Sequence, residues 1–165
     1  KTQLQVIATA SRPESQAWVK QLGADIVLDH RQSLVEQIQA QNLPAPRYVF
    51  STTHTDHYLS QIAELIAPQG QLGLIDDPEQ LDIRLLKRKS VAIHWEFMFT
   101  RSMFQTPDIQ AQGHLLQQVA TLVESQKIHS TLKHIMGHIN AENMRQAHAA
   151  IESEHTQGKI VLADF

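Results

Sequence analysis

The sequence predicts an α/β architecture, a parallel sheet doubly wound by helices on both faces. Two observations carry that expectation. Short apolar runs rich in branched residues alternate with amphipathic stretches, which is the pattern of βα repeats rather than of hairpins. Glycine, proline and helix-capping residues punctuate the intervals, so each run has a recognisable start and stop.

Residues 3–9 read as the first strand, an apolar run that ends at Thr9-Ala10. Ser11 and Glu14 have the spacing of a capping box, which predicts Ser11 as the cap of a helix over 15–22, with Gly23 as its C′ residue. Ile26-Val27-Leu28 is the second strand. A helix over 33–41 follows, with Leu34 and Ile38 on one face, and Asn42 and the Pro44-Ala45-Pro46 turn end it. Residues 47–51 form the third strand, and Thr53 or Thr55 is expected to cap a helix carrying Leu59, Ile62, Ala63 and Ile66. Pro68-Gln69-Gly70 stops that helix, and 71–75 returns as the fourth strand. After a turn at Asp76-Asp77-Pro78, residues 91–99 read as a fifth strand, aromatic through Trp95, Phe97 and Phe99.

From Pro107 the character changes. A long helix is expected to run to Gln126 with Leu115, Leu116, Val119, Leu122 and Val123 on its apolar face. An extended piece over 132–139 leads to a helix capped by Asn140 that carries Met144, Ala147, Ala150 and Ile151. Residues 158–162 read as a final strand. The expected organisation is one unit over 1–106 and a second over 107–165, packed on the first or on a further domain.

Composition narrows the partners. At 165 residues, 42% hydrophobic and 19% charged, the chain can build a core and is not disordered. A net charge of −3 gives no basic footprint, which argues against nucleic acid. The absence of cysteine excludes disulfides, thiolate zinc sites and a cysteine nucleophile within the chain, and suits a cytoplasmic setting. No apolar run has the length of a bilayer span, so no membrane partner is expected. Lys1-Thr2 is not a natural start, and further residues are expected upstream.

Several stretches taken in order carry a resemblance. They are Ile7-Ala8-Thr9-Ala10-Ser11-Arg12, Leu22-Gly23-Ala24-Asp25-Ile26-Val27 and Phe50-Ser51-Thr52-Thr53-His54-Thr55-Asp56. Ile66-Ala67-Pro68-Gln69-Gly70, Lys87-Arg88-Lys89-Ser90, Ala147-His148 with Ile151-Glu152-Ser153, and Gly158-Lys159-Ile160-Val161-Leu162 complete the set. Together they resemble the cofactor-binding half of the medium-chain dehydrogenase/reductase superfamily, in its zinc-type alcohol dehydrogenase-like and quinone oxidoreductase-like branch. The resemblance implies a Rossmann-like sheet that lacks its first strand and glycine-rich turn, because the six glycines are scattered and form no G-x-G-x-x-G. In such a sheet the first strand is central. Two apolar edges, at 3–9 and 47–51, are therefore expected either to close on each other or to be filled by another chain or segment.

What the resemblance implies about function is a C-terminal fragment of an NADPH-dependent oxidoreductase, transferring hydride to a carbonyl, quinone or enone. Alone it is expected to have no turnover and weak or absent NADP binding, since the phosphate turn and the catalytic domain would lie upstream. A non-catalytic α/β dimerisation or ligand-sensing module is the other reading, and such a module needs no phosphate turn.

Ser11 and Arg12 follow the strand end where an NAD site places a carboxylate against the ribose hydroxyls. A guanidinium there suits the 2′-phosphate of NADP; Ser11 also serves as a helix cap, and both roles hold at once. His30 occupies the position where the resemblance implies an aromatic group near the adenine phosphate, or is an exposed loop histidine. Ser51 and Thr52 end the third strand, where the resemblance implies contact with adenosine or ribose. Ile75 ends the fourth, on the nicotinamide-ribose side. Asp76 and Asp77 read as an ordinary turn. His54 and His57 share a helix face, but two ligands do not define a zinc site. Zinc ligands of the family are implied upstream, so no metal-binding residue is expected in the chain. No proton donor is nominated. The 91–99 strand is expected to pair edge to edge in a homodimer.

Overall fold

The computed structural model describes residues 3–153 and 155–165; Lys1 and Thr2, at the head of the expected 1–106 unit, and Glu154 lie outside the described residues. The chain divides into two compact units, Lys1–Ile109 and Gln110–Phe165. The first contains β1 (Ile7–Thr9), α1 (Pro13–Gln21), β2 (Ile26–Leu28), α2 (Leu34–Ala40), β3 (Tyr48–Ser51) and α3 (Thr55–Leu65). It continues with β4 (Gln71–Leu74), α4 (Arg84–Lys87), β5 (Ala92–Trp95) and α5 (Thr100–Met103).

Every strand pair in this unit is parallel. β1 pairs with β2, Ile7 opposite Ile26 and Thr9 opposite Leu28. A separate ladder runs β3-β4-β5, with Val49 opposite Leu72 and Leu72 opposite Ile93. This is the doubly wound, Rossmann-like arrangement, with no strand among the described residues between β1 and β3. The two free edges do not close on each other, which corrects the first of the two expected outcomes. They line a cavity of about 580 Å³ instead, with Ile7, Ala8 and Thr9 from β1 and Tyr48, Val49 and Phe50 from β3. The spacing is held by helix packing: α2 contributes Leu34 and Ile38, and α3 contributes Leu59, Ile62 and Leu65, to one buried cluster with Leu72 and Leu74.

The strands are shorter than their apolar runs. β1 begins at Ile7, not residue 3, and β5 ends at Trp95, not residue 99. A parallel strand extends only as far as its neighbour offers hydrogen bonds. The last ladder bond to β5 is from the Glu96 N–H to the Leu74 carbonyl, so Phe97 and Phe99 leave the sheet and meet edge to face at 5.5 Å. Short helices α4 and α5 occupy stretches where the pattern predicted none.

Both predicted caps in the first unit move. α1 starts at Pro13 with Arg12, not Ser11, as its cap residue. Proline at the first helical position has its φ preset and lacks an N–H that would go unpaired there. α3 is capped from His54, in the left-handed region at φ 51°, and neither Thr53 nor Thr55 is its cap. At the other end of α3, the Lys89 ammonium donates to the carbonyls of Glu64 and Ile66 at 2.6 and 2.7 Å, a cation placed at the negative end of the helix. The following turn admits only glycine at position 70, where a Cβ would stand 2.7 Å from Ile66 Cγ1 and 2.8 Å from the Ala67 carbonyl.

The second unit contains α6 (Ala111–Glu124), β6 (Leu132–Ile135), α7 (Ala141–Glu152) and β7 (Lys159–Val161). β6 and β7 pair in parallel, with an irregularity between Leu132 and His134. Asn140 caps α7 as expected, accepting from the Asn143 N–H at 2.8 Å. α6 starts later than Pro107, because Arg101 and Thr106 both bond Asp108 and hold that stretch as a turn. Its predicted apolar face is exposed at Leu115, Leu116, Val119 and Val123. Among the described residues no helix is long and apolar enough to cross a membrane.

Leu72 is 0% exposed at the centre of the cluster, whereas Leu115 is largely open. Leu72→Ala is expected to lower unfolding free energy by about 3 kcal/mol, and Leu115→Ala by less than about 0.5 kcal/mol. Urea denaturation checks both, and equal losses would contradict this core.

Candidate functional site

Because the strands of the first unit are parallel, their carboxyl ends share one edge. Ser11-Arg12 follow β1, Asp29-His30-Arg31 follow β2, Ser51 ends β3 with Thr52–His54 after it, and Ile75-Asp76 follow β4. Open α/β sheets bind ligands at this edge.

At the β1–β2 corner the register places the two following loops side by side. The Arg31 guanidinium donates from Nη2 to the Ser11 carbonyl at 2.8 Å and grips Asp29 through Nε and Nη2 at 3.2 and 2.9 Å. Asp29 is held below the usual carboxylate range, first by those side-chain bonds and then by the Arg31 backbone N–H. Arg12 forms an ion pair with Glu14 at 3.3 Å. Two arginines therefore belong to this corner, Arg12 next to Ser11 in the chain and Arg31 on its carbonyl. Arg31 is invisible to a reading that follows β1 alone. The signal that reveals it is register, since Thr9 opposite Leu28 brings residue 31 back to residue 11.

The β3–β4 corner is built differently. The Thr55 backbone N–H donates to Asp76 Oδ2 at 2.8 Å and its hydroxyl to Oδ1 at 2.5 Å. Ser51 Oγ lies 2.7 Å from Thr55 Oγ1. Asp76 thus serves as the cap of α3 from the far end of β4, and the expected plain turn at Asp76-Asp77 has a structural task. Desolvation pushes the Asp76 carboxyl up, but the two Thr55 bonds outweigh it and the net shift is downward.

The predicted site residues divide into groups. His30, Ser51 and Thr52 line the cavity between β1 and β3, together with Thr53 and His54. His30 is half-buried, and its carbonyl accepts from the Tyr58 hydroxyl at 3.3 Å. Ser11 and Arg12 stand outside that lining, with Arg31. Ile75 is exposed and outside it too, although its N–H reaches the Ser51 carbonyl at 3.3 Å. His57 stacks edge to face on Tyr58 at 4.8 Å. Among the described residues no three histidine, aspartate or glutamate side chains stand close enough to share a metal ion. With no cysteine in the chain, the residues present do not fit a zinc centre.

Comparison with known proteins agrees with this topology. The profile of the zinc-binding dehydrogenases matches residues 22–162. A zinc-type alcohol dehydrogenase-like protein of Staphylococcus aureus (strain MSSA476) is 37% identical over 160 residues, covering 96% of this chain and 48% of the relative. The crystal structure of a Rhizobium etli CFN 42 protein classed as a zinc-dependent alcohol dehydrogenase superposes with a TM-score of 0.95 at 54% identity, over 100% of this chain and 48% of that one. A quinone oxidoreductase of Pseudomonas syringae pv. Tomato DC3000, 17% identical with a TM-score of 0.74, covers 96% of this chain and 48% of its own and shares the fold. The chain spans about half the length of the relatives it matches.

Asp76 ionises more readily folded than unfolded, so its contribution to stability is present above the ordinary carboxylate pKa and is lost as pH falls through the lower folded value. Asp76→Asn is expected to cost about 1–3 kcal/mol at neutral pH. The gap between the two proteins should narrow below about pH 4 and close in stronger acid. Denaturation midpoints measured against pH test this, and a gap that stays constant into acid would refute it.

Proposed function

The chain belongs to the zinc-binding dehydrogenase family of alcohol dehydrogenase-like oxidoreductases, and from that premise we propose that it is the nucleotide-binding half of an NADPH-dependent enzyme. The observation that carries this reading is the pair of arginines at the Ser11 corner, Arg12 next to it in the chain and Arg31 on its carbonyl. No carboxylate follows β1 directly to accept from ribose hydroxyls, and Asp29 is already neutralised by Arg31. The Arg12–Glu14 pair lies on the surface, with side-chain exposures of 34% and 61%. Such a pair contributes little stability, so a 2′-phosphate can take the place of Glu14.

In this reading Ser11, Arg12 and Arg31 hold the phosphate end, while His30, Ser51 and Thr52, at the carboxyl ends of β2 and β3, meet the rest of the nucleotide. Ile75, beside Ser51, limits the far side of that edge. When bound, the reduced nicotinamide supplies a hydride to the electrophilic carbon of a carbonyl, quinone or activated alkene. The contribution of this chain is to bind and orient. No step is assigned to zinc.

The same reading includes a homodimer formed through β5. Among the described residues that strand has a ladder partner on one side only, β4. Trp95, Phe97, Met98 and Phe99 beside it are more than half exposed. An open aromatic edge of this kind calls for a partner, and pairing two β5 strands about a twofold axis is the symmetric solution.

Arg12→Ala and Arg31→Ala are each expected to weaken NADPH binding to the intact protein about tenfold or more, and to leave NADH binding nearly unchanged. Fluorescence titration with both nucleotides decides the point, and an unaltered preference would sink the phosphate pocket. Separately, the intact protein should sediment as a dimer, and Trp95→Glu combined with Phe97→Glu should give monomers. A dimer that survives both charges would move the interface elsewhere.

A further inference from the structure

The hydrogen bonds joining Ser51, Thr55 and Asp76 have a direction set by counting protons. An ionised carboxylate has no hydrogen to give. Both Thr55 groups therefore donate to Asp76, the backbone N–H to Oδ2 and the hydroxyl to Oδ1. Thr55 has a single hydroxyl hydrogen, and Asp76 takes it. The bond between Ser51 Oγ and Thr55 Oγ1 must then have Ser51 as its donor. The one hydroxyl hydrogen of Ser51 is spent in turn, and its oxygen retains only acceptor capacity. Thr55 is 0% exposed and Ser51 9%, so bulk water does not reset this order. Ser51 also lines the cavity between β1 and β3.

Resting on the cofactor reading above, we infer that Asp76, acting through Thr55, makes Ser51 an obligate acceptor that selects a hydroxyl or amino donor of the bound nucleotide. Ser51 is the contact residue; Thr55 and Asp76 are positioning residues. A phosphate oxygen at Ser51 would set acceptor against acceptor. The nucleotide's orientation is then determined from both ends, with its charged phosphate at the Ser11 corner and a neutral donor at the Ser51 corner. A site that accepts from a ligand O–H or N–H discriminates more strongly than an apolar one, because an analogue lacking the donor leaves a buried acceptor unpaired.

The donor has two sources within such a nucleotide, a ribose hydroxyl or the exocyclic amine of adenine. The intact protein is titrated with NADPH and with deaminated NADPH, whose base carries a carbonyl oxygen in place of the amine, and each variant's Tm is measured without nucleotide. Ser51→Ala should weaken NADPH binding about tenfold with little change in Tm. If the donor is the amine, the unmodified protein binds the deaminated nucleotide about tenfold more weakly, and Ser51→Ala abolishes the difference. If it is a ribose hydroxyl, the unmodified protein binds both alike and Ser51→Ala weakens both. Thr55→Ser keeps the hydroxyl and should retain affinity, whereas Asp76→Asn should lose it along with some Tm. A Ser51→Ala protein that binds both nucleotides like the unmodified one overturns the inference and leaves the cofactor reading standing. So does an Asp76→Asn protein with lowered Tm and full affinity. An unmodified protein that binds neither NADPH nor NADH overturns both.

Discussion

The first unit depends on the seating of α2 against α3. Its two hydrogen-bonded ladders, β1–β2 and β3–β4–β5, are separate sheets. What aligns their carboxyl ends is apolar packing, with Leu34 and Ile38 set against Ile62 and Leu65. Two polar ties reinforce it, from the Leu34 N–H to Gln61 Oε1 at 2.8 Å and from the Tyr58 hydroxyl to the His30 carbonyl. Apolar contact is strong in sum but not directional, so the polar ties help define the orientation that area alone leaves free. A strand entering between β1 and β3 would gain hydrogen bonds from both edges at once. That explains how an apolar cavity can lie in the middle of an otherwise regular parallel sheet.

The ligand edge has two chemically distinct corners. At Ser11 the two arginines hold neighbouring groups, Arg12 the exposed Glu14 and Arg31 the partly buried Asp29 together with the Ser11 carbonyl. At Ser51 the polar groups are consumed internally, each donor assigned to a named acceptor. The second corner is also where the backbone departs from ordinary geometry, with His54 in a left-handed conformation that costs a non-glycine residue about 1 kcal/mol. Asp76 supports that turn from across the sheet by satisfying the first N–H of α3. One carboxylate thus serves the helix start, the strained turn and the polarity of Ser51.

The elements that could be read in advance were those whose signal lies within a few residues. The branched runs at Ile26-Val27-Leu28 and 71–75 mark strands, Gly23 and Asn140 mark helix ends, and the structure places β2, β4, α1 and α7 accordingly. The short helices α4 and α5 were missed because four residues are too few to display a 3.6-residue period. Strand ends were misjudged for another reason. The apolar run over 91–99 continues past the point where β4 stops offering partners, so its aromatic half became surface instead of sheet.

The candidate site divides along the same line. Ser11, Arg12, Ser51 and Thr52 could be nominated in advance because each stands at or just past the end of a recognisable strand, and a strand's end can be found from its own residues. Arg31 and Asp76 were not, since their importance depends on partners 20 and 21 residues away. By itself the sequence determined the order of strands and helices, the parallel class, the family resemblance and the basic character of the first turn. Only the tertiary structure decided where each strand ends, which carboxylate caps α3, which arginine joins Arg12 and which way the Ser51 hydroxyl donates. Periodicity and turn chemistry act within a short window of chain, whereas pairing register and hydrogen-bond direction arise only when distant segments are brought into contact.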